Sequence, residues 1–127
     1  MTTVIFTTGG RDYKDADRVF AALSATKAKY GASMLIQGGA KGADTLAKNW
    51  ALSTGILGHT VEADWDRLGN WAGQERNQRM GALALAMKKA GMSVHLVAFP
   101  GGKGTAGMIK IWEKNELGDV LRIKPST

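Results

Sequence analysis

Short apolar and β-branched runs alternate along this chain with longer stretches in which apolar residues recur every three or four positions. The first spacing suits a strand, whose successive side chains point to opposite faces; the second keeps one side of a helix apolar. On this reading residues 3–7 (TVIFT) form a strand and residues 13–30 a helix that turns Val19, Phe20, Ala22 and Leu23 inward. Residues 33–37 (SMLIQ) form a second strand. The next helix opens near Ala43, carries Leu46, Ala47, Trp50 and Ala51 on one face, and stops at Gly55. Residues 59–63 (HTVEA) predict a third strand, residues 64–71 a loop, and residues 73–90 a helix whose buried stripe is Met80, Leu83, Ala84 and Met87. Residues 93–99 (SVHLVAF) and 119–123 (DVLRI) are the last two strands, with a helix over 105–115 between them and a frayed tail at 124–127.

Regular alternation of strand and helix predicts a single α/β domain over residues 1–127. The expected architecture is Rossmann-like and doubly wound, a mainly parallel five-stranded sheet with helices on both faces. No repeat, linker or low-complexity run divides the 127 residues, and 44% of them are hydrophobic, enough for one buried core.

Ligands of such sheets sit beyond the carboxyl ends of the strands. Three of those ends carry paired glycines here: TTGGRD with Gly9, Gly10 and Arg11; QGGAKGAD with Gly38, Gly39, Gly42 and Asp44; and FPGGKGT with Pro100, Gly101, Gly102, Lys103, Gly104 and Thr105. One Gly-Gly after a strand is ordinary turn chemistry. Three on one sheet edge, each with a cation in the turn, point to loops whose N–H groups approach a phosphate, helped by the following helix N-termini.

Charge agrees with this. Seventeen Lys and Arg against eleven Asp and Glu give a formal charge of +6, which favours nucleotides, nucleic acid or phosphorylated metabolites as partners. The chain has no Cys, which removes disulfides and thiolate chemistry and fits a reducing compartment. No apolar run approaches the roughly 20 residues of a membrane span, and MTTVIF lacks the features of a signal peptide. The expectation is a cytoplasmic protein with no membrane association.

Several chemistries find no support in the motifs. GKGTAG (102–107) matches G-x-G-x-x-G, but it lies in the last complete strand–helix unit rather than the first, where a dinucleotide fold carries it. Lys103 is followed by Gly104, so no GxxxxGK[ST] loop exists, and no G-x-S-x-G elbow is present. His59 and His95 lack ligand-like spacing, so no metal site is expected and His95 reads as a structural histidine inside a strand.

Taken together, TGGRDY, GGAKGADTLAKNWA, ADWDRLGNWAGQERNQRM and AFPGGKGTAGM resemble the YspA-like branch of the SLOG superfamily, the Rossmann-like group that includes the DprA/Smf proteins and the LOG phosphoribohydrolases. The resemblance spans roughly residues 4–115. It implies a nucleotide or nucleotide-derived ligand, with no further cofactor, in a protein that senses, sequesters or processes it, commonly in bacterial or phage conflict. LOG-type enzymes resemble this chain in R-K-x-x-M, where Arg76, Asn77 and Met80 stand with Asn in place of Lys. They resemble it also in P-G-G-x-G-T-x-x-E, where Pro100, Gly101, Gly102, Gly104 and Thr105 match. The position of that motif's catalytic Glu is Met108. A thioether can neither activate water nor stabilise an oxocarbenium-like centre, so hydrolysis would need another carboxylate: Asp12, Asp44 or Asp64.

In the expected site, the amides of residues 101–105 and the Thr105 hydroxyl hold a phosphate, while Arg11 and Arg76 neutralise it. Asp44 accepts a ribose hydroxyl, and Trp65 and Trp71 are the candidates to stack on a base. Two other readings stay open: a LOG-like hydrolase of an N-glycosidic or phosphate bond, and a DprA-like single-stranded DNA-binding module. Relatives commonly dimerise through helices, and Gly81, Ala82, Ala84 and Ala86 give the third predicted helix small positions for a homo-oligomer contact.

Overall fold

The computed structural model describes residues 2–125. Its elements run β1 (Thr3–Thr8), α1 (Ala16–Tyr30), β2 (Met34–Gln37), α2 (Ala43–Thr54), β3 (Leu57–Thr60), α3 (Trp65–Leu68), α4 (Ala72–Lys89), β4 (Ser93–Ala98), α5 (Lys103–Lys114) and β5 (Val120–Arg122). The five strands form one sheet in the order β3-β2-β1-β4-β5, and every pairing is parallel. The expected Rossmann-like α/β arrangement is therefore present, wholly rather than mainly parallel.

β1 lies at the centre, with Phe6 opposite Ile36 on one side and Leu96 on the other. All six of its residues are buried, as a strand covered on both faces requires. Val4 and Phe6 point into a layer with Met80, Ala84, Met108 and Trp112 from α4 and α5. Ile5 points the other way, among Val19, Leu23, Ala47 and Trp50 from α1 and α2. The chain winds outward from β1 to β2 and β3, then crosses back to β4 on the opposite side. The strand order thus reverses between β1 and β4, where the ends of neighbouring strands diverge and leave a crevice.

Several element boundaries move from their expected places, each for a local reason. α1 starts at Ala16 rather than residue 13, because the Asp15 carboxylate accepts from Arg18 N–H (3.1 Å) and caps the helix there. β3 occupies 57–60 rather than 59–63: its pairing runs from Leu57 opposite Met34 to Thr60 opposite Gln37. It is an edge strand with Leu57 largely exposed, so its apolar pattern points elsewhere. The expected loop at 64–71 holds α3 and a 3₁₀ turn over Gly69–Trp71. α5 begins at Lys103, two residues early, which brings the glycine loop and the helix start together. Of the expected tail, 126 and 127 lie outside the described residues.

Two expected features serve packing. Of the small positions expected on this helix, Gly81 and Ala84 are buried while Ala82 and Ala86 are exposed, and a Cβ at Gly81 would collide with Ile111 Cγ2, so Gly81 lets α4 approach α5 within the chain. His95 Nε2 lies 2.9 Å from Ser93 Oγ, and its ring stacks on Tyr30 at 3.8 Å; burial, then Lys29, lowers its pKa.

Candidate functional site

The three glycine loops meet over the carboxyl end of β1 and are tied by their own backbones. Gly10 N–H donates to Pro100 O (2.9 Å), and Gly10 O accepts from Ala43 N–H (3.1 Å). Space explains several of the glycines. A Cβ at Gly9 would stand 2.5 Å from Ala43 Cβ; at Gly42, whose φ is +77°, it would strike the Gly10 and Arg11 carbonyls; at Gly101 it would strike the Thr105 hydroxyl. These residues close the loops on one another. Gly102, Gly104 and Gly107 differ, because beyond their chain neighbours and local helical backbone nothing lies within 4 Å of where their Cβ would be.

Those three open glycines line a cavity of about 620 Å³, within the ~300–1,000 Å³ usual for small-molecule sites. Its walls carry four cations, Arg11, Arg76, Lys103 and Lys110, and one carboxylate, Asp44. α5 enters the cavity by its N-terminus. Gly102 at the N-cap has no side chain to bond the first-turn N–H groups, which leaves donors and the positive end of a 12-residue helix dipole at the cavity wall.

Arg76 on α4 donates through Nη1 to Gly38 O and through Nε to Asn77 Oδ1 (3.0 Å). Asn77, itself buried, donates in turn to Gly104 O (3.1 Å). A chain of hydrogen bonds therefore links the second glycine loop, α4 and the start of α5. A Cβ at Gly38 would lie 2.7 Å from the guanidinium, so glycine there is what lets Arg76 reach the loop. Burial pulls the Arg76 pKa down, and the charge of Asp44 opposes that.

Asp44 is 6% exposed. Its Oδ2 accepts from Ala40 N–H (3.2 Å), while Oδ1 is buried without a hydrogen-bond partner; the Gly38 N–H also favours the charged carboxylate. Burial raises its pKa from 3.8 to about 6 against the pull of the Ala40 amide and the Arg76 charge. Thr7 Oγ1 is a second buried, unpartnered atom on a cavity-lining residue. Trp112 Nε1 and Tyr13 Oη are also unpartnered, but they belong to the packing layers.

The remaining candidates separate clearly. Trp65 lines the cavity, half-exposed, with the Arg11 guanidinium 4.8 Å from its ring centroid. Trp71 is outside the lining. So are Gly39, Gly42, Pro100 and Gly101, which shape the loops from behind. Asp12 is exposed and outside the lining. Asp64 caps α3, accepting from Arg67 N–H (3.2 Å) and Nε (3.0 Å), bonds that hold its pKa low. Met108 is fully buried against the sheet. Among the described residues no group of three or more His, Asp or Glu side chains could hold a metal ion.

The sequence reading missed Thr7, Gln74, Gln78, Gly107 and Lys110, which also line the cavity. The helical ones fall on polar faces that look solvated until α4 packs on α5.

Fold and cavity together define a Rossmann-like α/β domain with a cationic, glycine-lined crevice at its topological switch point. The model of the YspA, cpYpsA-related SLOG family matches residues 2–68, and the chain belongs to that family. It is similar to the Gene 61 protein of Mycobacterium phage D29, with 36% identity over 106 residues that cover 78% of each chain. The family match takes in Arg11, the second glycine loop with Asp44, and Trp65. No helix among the described residues is long and apolar enough to cross a membrane.

Proposed function

We propose that this protein binds a nucleotide or nucleotide-derived phosphate ligand in the crevice, as a receptor or sequestering protein. The observation that carries the reading is the uncapped start of α5, opening on a cavity whose lining holds four cations and one carboxylate. The first-turn amides of α5 and the Thr105 hydroxyl take the phosphate, Lys103 and Arg11 screen its charge, and Arg76 stiffens the loop beneath it. Trp65 offers a π-face to a base beside this cradle. Association with SLOG relatives, a superfamily tied to nucleotide-related ligands, supports the same reading.

One observation keeps a processing role as the second reading. Asp44 is the carboxylate on the cavity wall, and with a pKa raised to about 6 it exchanges protons near neutrality, as a general acid or base must. Against a LOG-like mechanism, the residue at the glutamate position, Met108, faces the core. Melting curves with ribonucleoside mono- and diphosphates test the binding reading: at least one should raise Tm, and Lys103→Ala and Thr105→Val should reduce the shift. A flat panel refutes it. Chromatography of the same mixtures for released base or phosphate decides the second reading.

A further inference from the structure

The cavity extends past the phosphate cradle. From the start of α5 it continues into a groove between α4 and α5, where Gln74 and Gln78 on α4 face Gly107, Lys110 and Ile111 on α5. Lys103 and Lys110 are seven residues apart, so the groove follows α5 for about 10 Å. Gln74, Gln78 and Lys110 are exposed and form no hydrogen bond or ion pair with other described residues, whereas neighbouring Arg79 and Glu75 on α4 are paired to each other. The groove wall thus offers two free amides and a free cation.

Gly107 carries the argument further. Glycine inside a helix weakens it, and packing normally repays that cost, as Gly81 shows by admitting Ile111. At Gly107 nothing outside its own helical turn stands within 4 Å of the Cβ position, so no packing element repays the cost there. What its missing side chain leaves is room in the groove. Asp44 Oδ1 on α2 and Thr7 Oγ1 on β1 are buried without partners on residues that also line the cavity, so polar groups outside the α4–α5 groove are likewise left for something other than protein.

We infer that the α4–α5 groove is a second subsite, and that the ligand is a nucleotide joined through its phosphate to a second polar group, such as a nucleoside diphosphate sugar, rather than a terminal monophosphate. The nucleoside occupies the arm with Trp65 and Asp44, the bridging phosphates lie at the α5 N-terminus and Lys103, and the second group lies along Gly107 between Gln78 and Lys110. This rests on the binding reading above.

Calorimetric titration with the four ribonucleoside 5′-monophosphates and the four matching nucleoside diphosphate glucoses tests the inference. At least one diphosphate sugar should bind tenfold or more tightly than its monophosphate. Gly107→Leu, whose Cβ would meet open space on the groove side, should cancel that advantage and leave monophosphate affinity unchanged; Lys110→Ala at the exposed rim should reduce the advantage with no effect on folding. Equal affinity for the two forms, or an advantage indifferent to both substitutions, overturns the inference and leaves the binding reading intact. No binding by any of the eight overturns both.

Discussion

Asp44→Asn separates the stability of the fold from the requirements of the site. The carboxylate is buried at the start of α2 with one oxygen unpartnered, and its pKa is raised from 3.8 to about 6. Burial of the charged form is the cause, so ionised Asp44 opposes folding. At about 1.36 kcal/mol per pH unit, the interval between the two values makes that opposition about 3 kcal/mol when the group is fully ionised. The sign follows from proton uptake. Between about pH 4 and 6 the folded protein holds a proton that the unfolded chain has released, so stability from this group is complete below 3.8 and is lost as pH rises through 6. From pH 5 to 7.5 Asp44 should lower the unfolding free energy by about 1.4 kcal/mol. Asparagine is neutral throughout and keeps an oxygen for the Ala40 N–H, although its amide nitrogen takes the unpartnered place at a cost of about 1–3 kcal/mol. That cost does not depend on pH. Urea denaturation of both proteins at pH 5 and 7.5, followed by tryptophan fluorescence, isolates the ionisation: the stability of Asp44→Asn relative to its parent should rise by about 1.4 kcal/mol towards neutrality. A constant difference, or one that shrinks, refutes the reasoning. If it holds, the protein keeps an acidic group at a cost to its own stability, as binding and catalytic sites do.

Other substitutions address the surroundings. Gly107→Ala should stabilise the apo protein by about 0.5–1 kcal/mol in thermal melts, since α5 gains helix propensity and the methyl meets nothing. Met108→Glu should destabilise by about 3 kcal/mol or more and release no base from nucleotides, because the side chain enters the layer around Phe6 and Trp112 rather than the cavity. Gly38→Ala should displace the Arg76 guanidinium and lower Tm, and crystals of the variant should show the Gly38 carbonyl without its Arg76 donor. Fluorescence anisotropy with single-stranded DNA at about 0.15 M salt should show no tight binding; affinity that persists there would favour the DNA-binding reading.

Much of the arrangement was legible in residue order. Period-2 and period-3.6 spacing located β1, β2, β4, β5 and the long helices, and β3 only in part, while the glycine loops marked the sheet edge that holds the crevice. Lys103, Thr105 and Asp44 were readable because they stand in glycine-rich turns after strands, and Arg76 because it falls in the stretch that resembles R-K-x-x-M; all four line the cavity. The choice among three carboxylates was less legible. Asp12, Asp44 and Asp64 look alike in one dimension, yet one is exposed, one is buried on the cavity wall and one caps a four-residue helix. Trp65 and Trp71 divide in the same way: Trp65 opens α3 on the cavity wall, and Trp71, which ends the 3₁₀ turn, is outside it.

By itself, the sequence determined the alternation of elements, the cationic balance and the Met at position 108 where the motif it resembles carries Glu, because these depend on residue type and local spacing. Tertiary structure alone decided which glycines are filled by protein and which open on empty space, and that Gln74, Gln78 and Lys110 share a groove. The physical reason is that both depend on distances between segments far apart in the chain. Gly101 and Gly102 are neighbours in sequence, yet a side chain on the first meets Thr105 and on the second meets nothing.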